Sequence, residues 1–361
     1  TPWHIVNKGT NGTFVDGILV SKATLKDGST IQLAKQGPLF RFNFLVKPAA
    51  TIPSQPSSVP STIKSESISH SVATPCHHAD NPPNNLFCIH CGEPIVEQEN
   101  FVRNYQILKS LGKGGMGTTY LALDRSKFNP GTSPFLLVIK EMNADMLEIA
   151  KAKELFDREA RILQSLEHAG IPTYYDFFLE GDRKYLAMEL VHGQNLEQMI
   201  YEQGPVSSQQ AIEWMLQLCD ILKYLHSLSP PLIHRDIKPA NLMRRHLDKK
   251  IVLLDFGAVK EIGTPLATRI GAEGYSAPEQ NRGKPTPQSD IYAIAPTLIF
   301  LLTGHNPVEY FRRRGGRFIF DVSGVPNIPP KLAQLIVKVS EYQAKDRYQT
   351  AAELEEALKL C

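Results

Sequence analysis

The sequence predicts an α+β chain in which a β-rich part precedes a larger helical part. Three observations carry that reading. Residues 105–123 run strand, glycine-rich turn, strand, and a further apolar strand follows at residues 136–140. Beyond them the apolar spacing lengthens to a helical one, at residues 156–163, 207–226 and 291–302. Ahead of both, residues 3–46 alternate short β-like runs with glycine turns and show no helical period.

A chain of 361 residues exceeds one typical domain, and its 42% apolar content suffices for a real core. A formal charge of +2 argues neither for nor against nucleic acid or a membrane surface. Five unevenly spread cysteines are too few for a disulfide framework and point to a reducing, cytoplasmic setting. No stretch reads as a signal peptide, and no apolar run is long enough to span a bilayer. The chain begins at Thr1 rather than Met, as expected of a piece whose native start lies upstream.

Four segments are expected. Residues 1–46 are the β segment, with turn signals over 7–17, a hairpin over 25–33 and a closing strand over 40–46. This resembles the second half of a forkhead-associated domain, a β-sandwich that binds phosphothreonine peptides. The resemblance puts Asn11 in a peptide-contacting loop, but the family's phosphate-binding Arg and Ser have no match here. Residues 47–75, rich in Ser, Thr and Pro, read as a flexible tether. Residues 76–100 hold Cys76-His77-His78 and then Cys88-Ile89-His90-Cys91-Gly92, which resembles a zinc-ribbon knuckle. Zinc takes four ligands in a tetrahedron. Cys76, Cys88 and Cys91 give three, and Ala79 stands where the family has its other cysteine. Either His78 or His77 supplies the fourth ligand, or the site is degenerate.

Residues 101–361 are organised around His234-Arg235-Asp236-Ile237-Lys238-Pro239-Ala240-Asn241, followed by Asp255-Phe256-Gly257. A buried-strand run at 249–254 holds the two ends in fixed geometry. Such a set suits phosphoryl transfer, which needs charge neutralised and reactants aligned. Asp236 can accept a hydroxyl proton and Lys238 can steady the moving phosphoryl group. Asn241 and Asp255 can hold Mg²⁺. The arrangement resembles the catalytic and metal loops of protein kinases. That resemblance implies a bilobal fold, with a small β-rich lobe and a larger helical lobe.

The segment from Leu111 to Tyr120 carries Gly112, Gly114 and Gly117 at G-x-G-x-x-G spacing. Dinucleotide-binding folds use the same string ahead of a helix, but here a strand follows. In a kinase, Leu111, these glycines and Thr119, which replaces the family's Val, would cover ATP. Lys140 ends the next strand, and Glu159 sits where the family's lysine-pairing Glu does. Met188 would line the back of the pocket, with backbone groups of Glu189 and Val191 bonding adenine. Residues 127–134 read as an inserted surface loop.

Helix 207–226 is expected to start with a Ser207/Gln210 capping box and to present Ile212, Met215, Leu216, Cys219 and Leu222 to the core. Residues 261–274 resemble an activation segment, in which Thr264 or Thr268, once phosphorylated, would dock on Arg235. The family resemblance also has Asp290 bonding the catalytic-loop backbone and Arg347 pairing with Glu279. Thr350 reads as the cap of the last helix. Ala272 replaces the family's Thr, Pro296 interrupts an apolar helix, and residues 312–317 form a basic run read as a solvated loop, not a nucleic-acid site.

The resemblance as a whole is to bacterial eukaryotic-like serine/threonine protein kinases, with protein substrates bearing Ser/Thr acceptors. Phosphopeptide partners would follow if a full forkhead-associated domain were present. A scaffold that keeps the kinase fold without catalysis, and a small-molecule phosphotransferase, are the rival readings.

Overall fold

The computed structural model describes residues 4–6, 13–15, 18–20, 22–24, 30–33, 39–41, 76, 81, 85–89, 91–96, 100–114, 117–128, 134–261, 273–314 and 317–361. The chain divides into two units, Thr1–Ile95 and Val96–Cys361.

In the first unit, β1 (His4–Val6) pairs antiparallel with β4 (Lys22–Thr24). β2 (Thr13–Val15), β3 (Ile18–Val20), β5 (Thr30–Leu33) and β6 (Leu39–Arg41) form a separate sheet in the order β3-β2-β5-β6. Of the hairpin expected over 25–33, residues 25–29 lie outside the described residues, and 30–33 form β5, which pairs with β2 and β6. Turn signals locate chain reversals, but they do not say which strands meet. Residues 42–75, including the tether, lie outside the described residues.

The second unit opens with six antiparallel strands: β7 (Phe101–Val102), β8 (Tyr105–Lys113), β9 (Gly117–Asp124), β10 (Leu136–Met142), β11 (Tyr174–Glu180) and β12 (Arg183–Glu189). Their order across the sheet is β11-β12-β10-β9-β8-β7. Leu137 and Ile139 alternate inward on β10, beside Ala122, Phe178 and Tyr185. Helix α1 (Ala150–Ser165) turns Phe156, Ile162 and Leu163 into the core. Its outer edge is tied to the sheet where Lys184 on β12 meets Asp157 at 2.5 and 2.7 Å.

The remainder is helical: α2 (Leu196–Gln203), α3 (Ser208–Ser227), α4 (Pro278–Asn281), α5 (Pro287–Thr303), α6 (Pro330–Val339) and α7 (Ala351–Lys359). Small strand pairings stitch it together. β13 (Gly193–Asn195), β15 (Leu242–Arg245) and β16 (Ile251–Leu253) form one sheet, and β14 (Leu232–Ile233) pairs with β17 (Lys260–Glu261). Every residue of α5 from 289 to 302 is buried, which makes it the axis of this part. Pro296 cannot donate to the carbonyl four residues back, yet the helix runs on through it. The loss of about 3 kcal/mol is outweighed by apolar side chains buried on all sides, each worth about 1.5–3 kcal/mol.

Three details depart from the sequence reading. At the start of α3, Ser207 Oγ accepts the Gln210 N–H at 3.2 Å, but the Gln210 side chain turns to Glu213 at 3.0 Å, so only half the capping box forms. The buried face of α3 is also broader than one stripe. Trp214, Leu218 and Ile221 join Met215, Cys219 and Leu222, while Ile212 and Leu216 lie at the margin. The Cys219 thiol is fully buried, which pushes its pKa up to about 12, so it is an inert core group. The basic run is not a loop but a hairpin, β18 (Phe311–Arg314) with β19 (Arg317–Phe320). Thr350 does cap α7, accepting the Glu353 N–H at 3.1 Å. Among the described residues, no helix is long and apolar enough to cross a membrane.

Candidate active site

A cavity of about 500 Å³ opens between the six-stranded sheet and the helical part. Leu111, Val138, Met188, Val191 and Met243 line one end, which suits a flat apolar ring. Lys140, Glu159, Asp236, Asn241 and Asp255 line the other, so the charged lining residues gather there, apart from Glu189 beside Met188.

Lys140 is carried by β10, whose register against β9 and β12 leaves its side chain on the cavity face. Its Nζ donates to both Glu159 oxygens, at 2.6 and 2.8 Å, and lies 3.6 Å from Asp255 Oδ1. Burial alone would depress the lysine pKa, but Glu159 and Asp255 outweigh it and raise it above its ordinary value. The ammonium is therefore charged and aimed. α1 supplies Glu159 from a face that is itself pinned by Phe156 and by the Lys184–Asp157 pair.

The loop bearing Asp236 is held from within the core. Asp290, at the start of α5, accepts the backbone N–H groups of His234 (2.8 Å) and Arg235 (2.9 Å) and also meets His226 Nε2 at 3.0 Å. Gln280 adds a bond to the Arg235 carbonyl at 2.6 Å. Arg235 takes a positive φ of 70°, a strained turn that these bonds fix. Asp236 is thereby presented to the cavity, with Lys238 Nζ 2.8 Å and Asn241 Nδ2 2.9 Å from its Oδ2. Asn241 Nδ2 also reaches the Asp236 carbonyl at 2.8 Å, so the amide oxygen of Asn241 takes no part in these bonds. Asp255 has φ 63° and accepts the Gly257 N–H at 3.3 Å. Burial would raise its pKa, but Lys140 leads the groups that hold it below the usual carboxylate range. An ionised carboxylate and a neutral amide oxygen are donors that fit a hard divalent cation.

The glycine-rich turn is closed by the Gly114 N–H donating to the Gly117 carbonyl at 2.8 Å. A Cβ on Gly117 would stand 2.5 Å from the Glu141 carbonyl, so β9 and β10 can approach only with glycine there. A Cβ on Gly112 would meet nothing within 4 Å, and Gly112 is not on the cavity lining. Thr119 and Gly114 line the cavity. Glu189 donates its backbone N–H to the Thr173 carbonyl at 2.8 Å, and its carboxylate is held by Thr173 and Arg245.

Thr264, Thr268 and Ala272 lie outside the described residues, as do His77 and His78. Arg235 donates Nε to the Ala258 carbonyl at 2.5 Å. Two cations not singled out in the sequence converge on it. Burial, with Arg158 beside it, depresses the Arg235 pKa, and burial followed by Arg235 and Arg158 depresses that of Lys260. Arg158 Nη2 is buried with no hydrogen-bond partner among the described residues. The β14–β17 pairing brings Lys260 to this place, and no local pattern announces it.

In the first unit, the sulfur atoms of Cys76, Cys88 and Cys91 all lie within 4.8 Å of one another, and Cys76 and Cys88 are 3.8 Å apart. The turn that gathers two of them is fixed by the Gly92 N–H on the Cys88 carbonyl (2.9 Å), with Gly92 at φ 76°.

Residues 105–358 match the protein kinase domain family. The chain belongs to the protein kinase family. It is 35% identical over 302 residues to serine/threonine-protein kinase B of Synechocystis, covering 79% of this chain and 50% of that protein. It is 37% identical over 273 residues to serine/threonine-protein kinase PknA of Nostoc, covering 71% and 47%. The chain thus spans about half the length of the curated relatives it matches. The crystal structure of the Mycobacterium tuberculosis PknI kinase domain superposes with a TM-score of 0.59 at 22% identity, over 74% of this chain and 99% of that one, which shows the fold. In the kinase domain, the six-stranded sheet with α1 is the small lobe and the helical remainder is the large lobe.

Proposed function

We propose that the chain is a serine/threonine protein kinase that transfers the γ-phosphoryl group of ATP to protein hydroxyls with Mg²⁺. The observation that carries this is the Asp236 carboxylate, bonded to both Lys238 and Asn241, in a cavity where Lys140 and Glu159 are already paired. Kinase relatives favour an enzyme over a scaffold that has only the fold.

The apolar end takes adenine, against Met188 and the backbone of Glu189 and Val191. Lys140 orients the α- and β-phosphates, and Asp236 accepts the proton of the acceptor hydroxyl as its oxygen attacks the γ-phosphorus and the bond to the bridging oxygen breaks, with ADP leaving. Lys238, bonded to Asp236, faces the charge that builds on the moving group. Asn241 and Asp255 would hold Mg²⁺, which when bound neutralises phosphate charge. Incubation with labelled ATP, Mg²⁺ and a generic Ser/Thr substrate tests the reading. Wild type should transfer label and Asp236→Asn should lose almost all of it. Equal transfer by the variant would defeat the assignment.

Three finer assignments accompany this one. Phosphorylation of Thr264 or Thr268 would order the activation segment on Arg235, with Arg158 and Lys260 as the further cations. A zinc ion on Cys76, Cys88 and Cys91, with His78 or His77, is supported by the sulfur spacing. Tetrahedral zinc at a Zn–S distance of about 2.3 Å sets sulfurs about 3.8 Å apart. Residues 1–46 are proposed as part of a forkhead-associated sandwich, whose partners would be phosphopeptides.

A further inference from the structure

We propose that Asn143 is a positioning residue that sets the glycine-rich turn over the phosphates of the bound nucleotide, an inference that rests on the ATP reading of the cavity. The Asn143 side chain touches both arms of the turn at once. Its Nδ2 donates to the Gly114 carbonyl at 2.9 Å, and its Oδ1 accepts from Thr118 Oγ1 at 3.0 Å. Gly114 enters the turn and Thr118 leaves it, while the Gly114 N–H closes it on the Gly117 carbonyl. One planar amide therefore fixes the separation of the two arms.

The residue type follows from the bonds. Asparagine offers a donor and an acceptor on one short rigid group. Aspartate keeps the acceptor but puts a second acceptor against the Gly114 carbonyl, and alanine supplies neither bond. Location gives the amide its purpose. Asn143 directly follows β10, three residues after Lys140, and Met142 between them is 1% exposed and locked in the core. The strand that aims the lysine at the phosphates thus also carries the group that holds the turn. Without the amide, glycines at 112, 114 and 117 leave that turn a wide choice of backbone conformations. Ordering it would then fall to the nucleotide, and affinity would drop by that cost.

The effect should fall chiefly on phosphate-bearing ligands, because of the residues at the adenine end only Leu111 belongs to an arm of this turn, while Val138, Met188, Val191 and Met243 come from elsewhere in the chain. Calorimetric titration of the full chain with Mg²⁺–ATP and, separately, with adenosine tests it. Asn143→Ala should weaken ATP binding about five- to tenfold and leave adenosine binding unchanged. Thr118→Val, which keeps the shape but removes the hydroxyl, should weaken ATP binding by a smaller factor. The double variant should be no worse than Asn143→Ala, since both break one latch. Equal weakening of ATP and adenosine would mean that Asn143 only supports the fold, and would overturn the proposal. So would variants that bind ATP as tightly as a wild type that binds it well. A wild type that binds no ATP would instead sink the kinase reading, and the proposal with it.

Discussion

Arg347 and Glu279 form a two-pronged ion pair inside the large lobe, Nη1 to Oε1 at 2.7 Å and Nη2 to Oε2 at 2.9 Å. The arginine side chain has no solvent exposure and also donates to the carbonyls of Gln288, Glu341 and Tyr342. Ser289 gives Glu279 a further bond at 2.7 Å. The pair therefore joins α4, α5 and the turn before α7 through a single charge. Planar, bidentate geometry of this kind suits arginine and would be lost with lysine.

Removing the charge at Glu279 leaves that arginine buried without its counter-ion, so Glu279→Gln should cost about 3–5 kcal/mol. The cost should depend on pH. Burial works to raise the Glu279 pKa, but the bonds from Arg347 and Ser289 outweigh it and hold the value below the ordinary 4.5. A depressed folded-state pKa contributes stability that is complete above the unfolded value and lost as pH falls through the folded one. Melting curves of both proteins should therefore converge as pH drops below 4.5. A gap in melting temperature that stays constant on acidification would contradict the pairing.

Gly112 and Gly117 should not behave alike. Gly117→Ala forces a Cβ against the Glu141 carbonyl and should cost about 1–3 kcal/mol through strain between β9 and β10. Gly112→Ala meets open space and should leave the melting temperature nearly unchanged. Denaturation of the two variants side by side checks this. Equal losses would mean that the strand approach is not what demands glycine.

Much of this architecture is legible in the sequence because its signals are local. The strand–turn–strand pattern around Gly114, the helical stripe through Phe156 and the apolar run at 251–253 depend only on residue spacing. What escapes is set by distant partners. Lys260 reaches Arg235 because Leu232–Ile233 pairs with Lys260–Glu261 and Ala258 accepts from Arg235. The arginine run reads as a loop by its charge, yet Phe311 and Phe320 stack at 4.1 Å and clamp it into a hairpin. Asn143 lies in a short polar connection whose bond to Gly114 spans 29 residues.

Arg158 Nη2, buried without a hydrogen-bond partner among the described residues, predicts a dependence on phosphate. Mass mapping after incubation with ATP should find phosphate on Thr264 or Thr268, and replacing both by Ala should lower activity. Arg158→Ala should remove the gain that phosphorylation gives while leaving the phosphate-free rate close to that of the double Ala variant. If Arg158→Ala responds to phosphorylation as wild type does, this cation plays no part.

Metal analysis of the full chain under reducing conditions should find close to one zinc per molecule, falling sharply in Cys88→Ser. Cys88 is the most buried of the three, at 4% exposure, so its loss should be felt most. A wild-type stoichiometry near zero would leave the cysteines as a metal-free turn.

Asp290 gives the catalytic loop an unusual thermodynamic status. Loops generally open on their own, at little cost, and exchange their amide hydrogens quickly. The amides of His234 and Arg235 are bonded instead to the carboxylate of the buried Asp290, on a helix whose residues 289–302 are all buried. They can meet solvent only when α5 itself comes loose, which is close to global unfolding. In hydrogen–deuterium exchange these two amides should be as slow as those of α5. The loop that must hold its shape through each turnover then has the lifetime of the core, with no regular secondary structure of its own at Arg235.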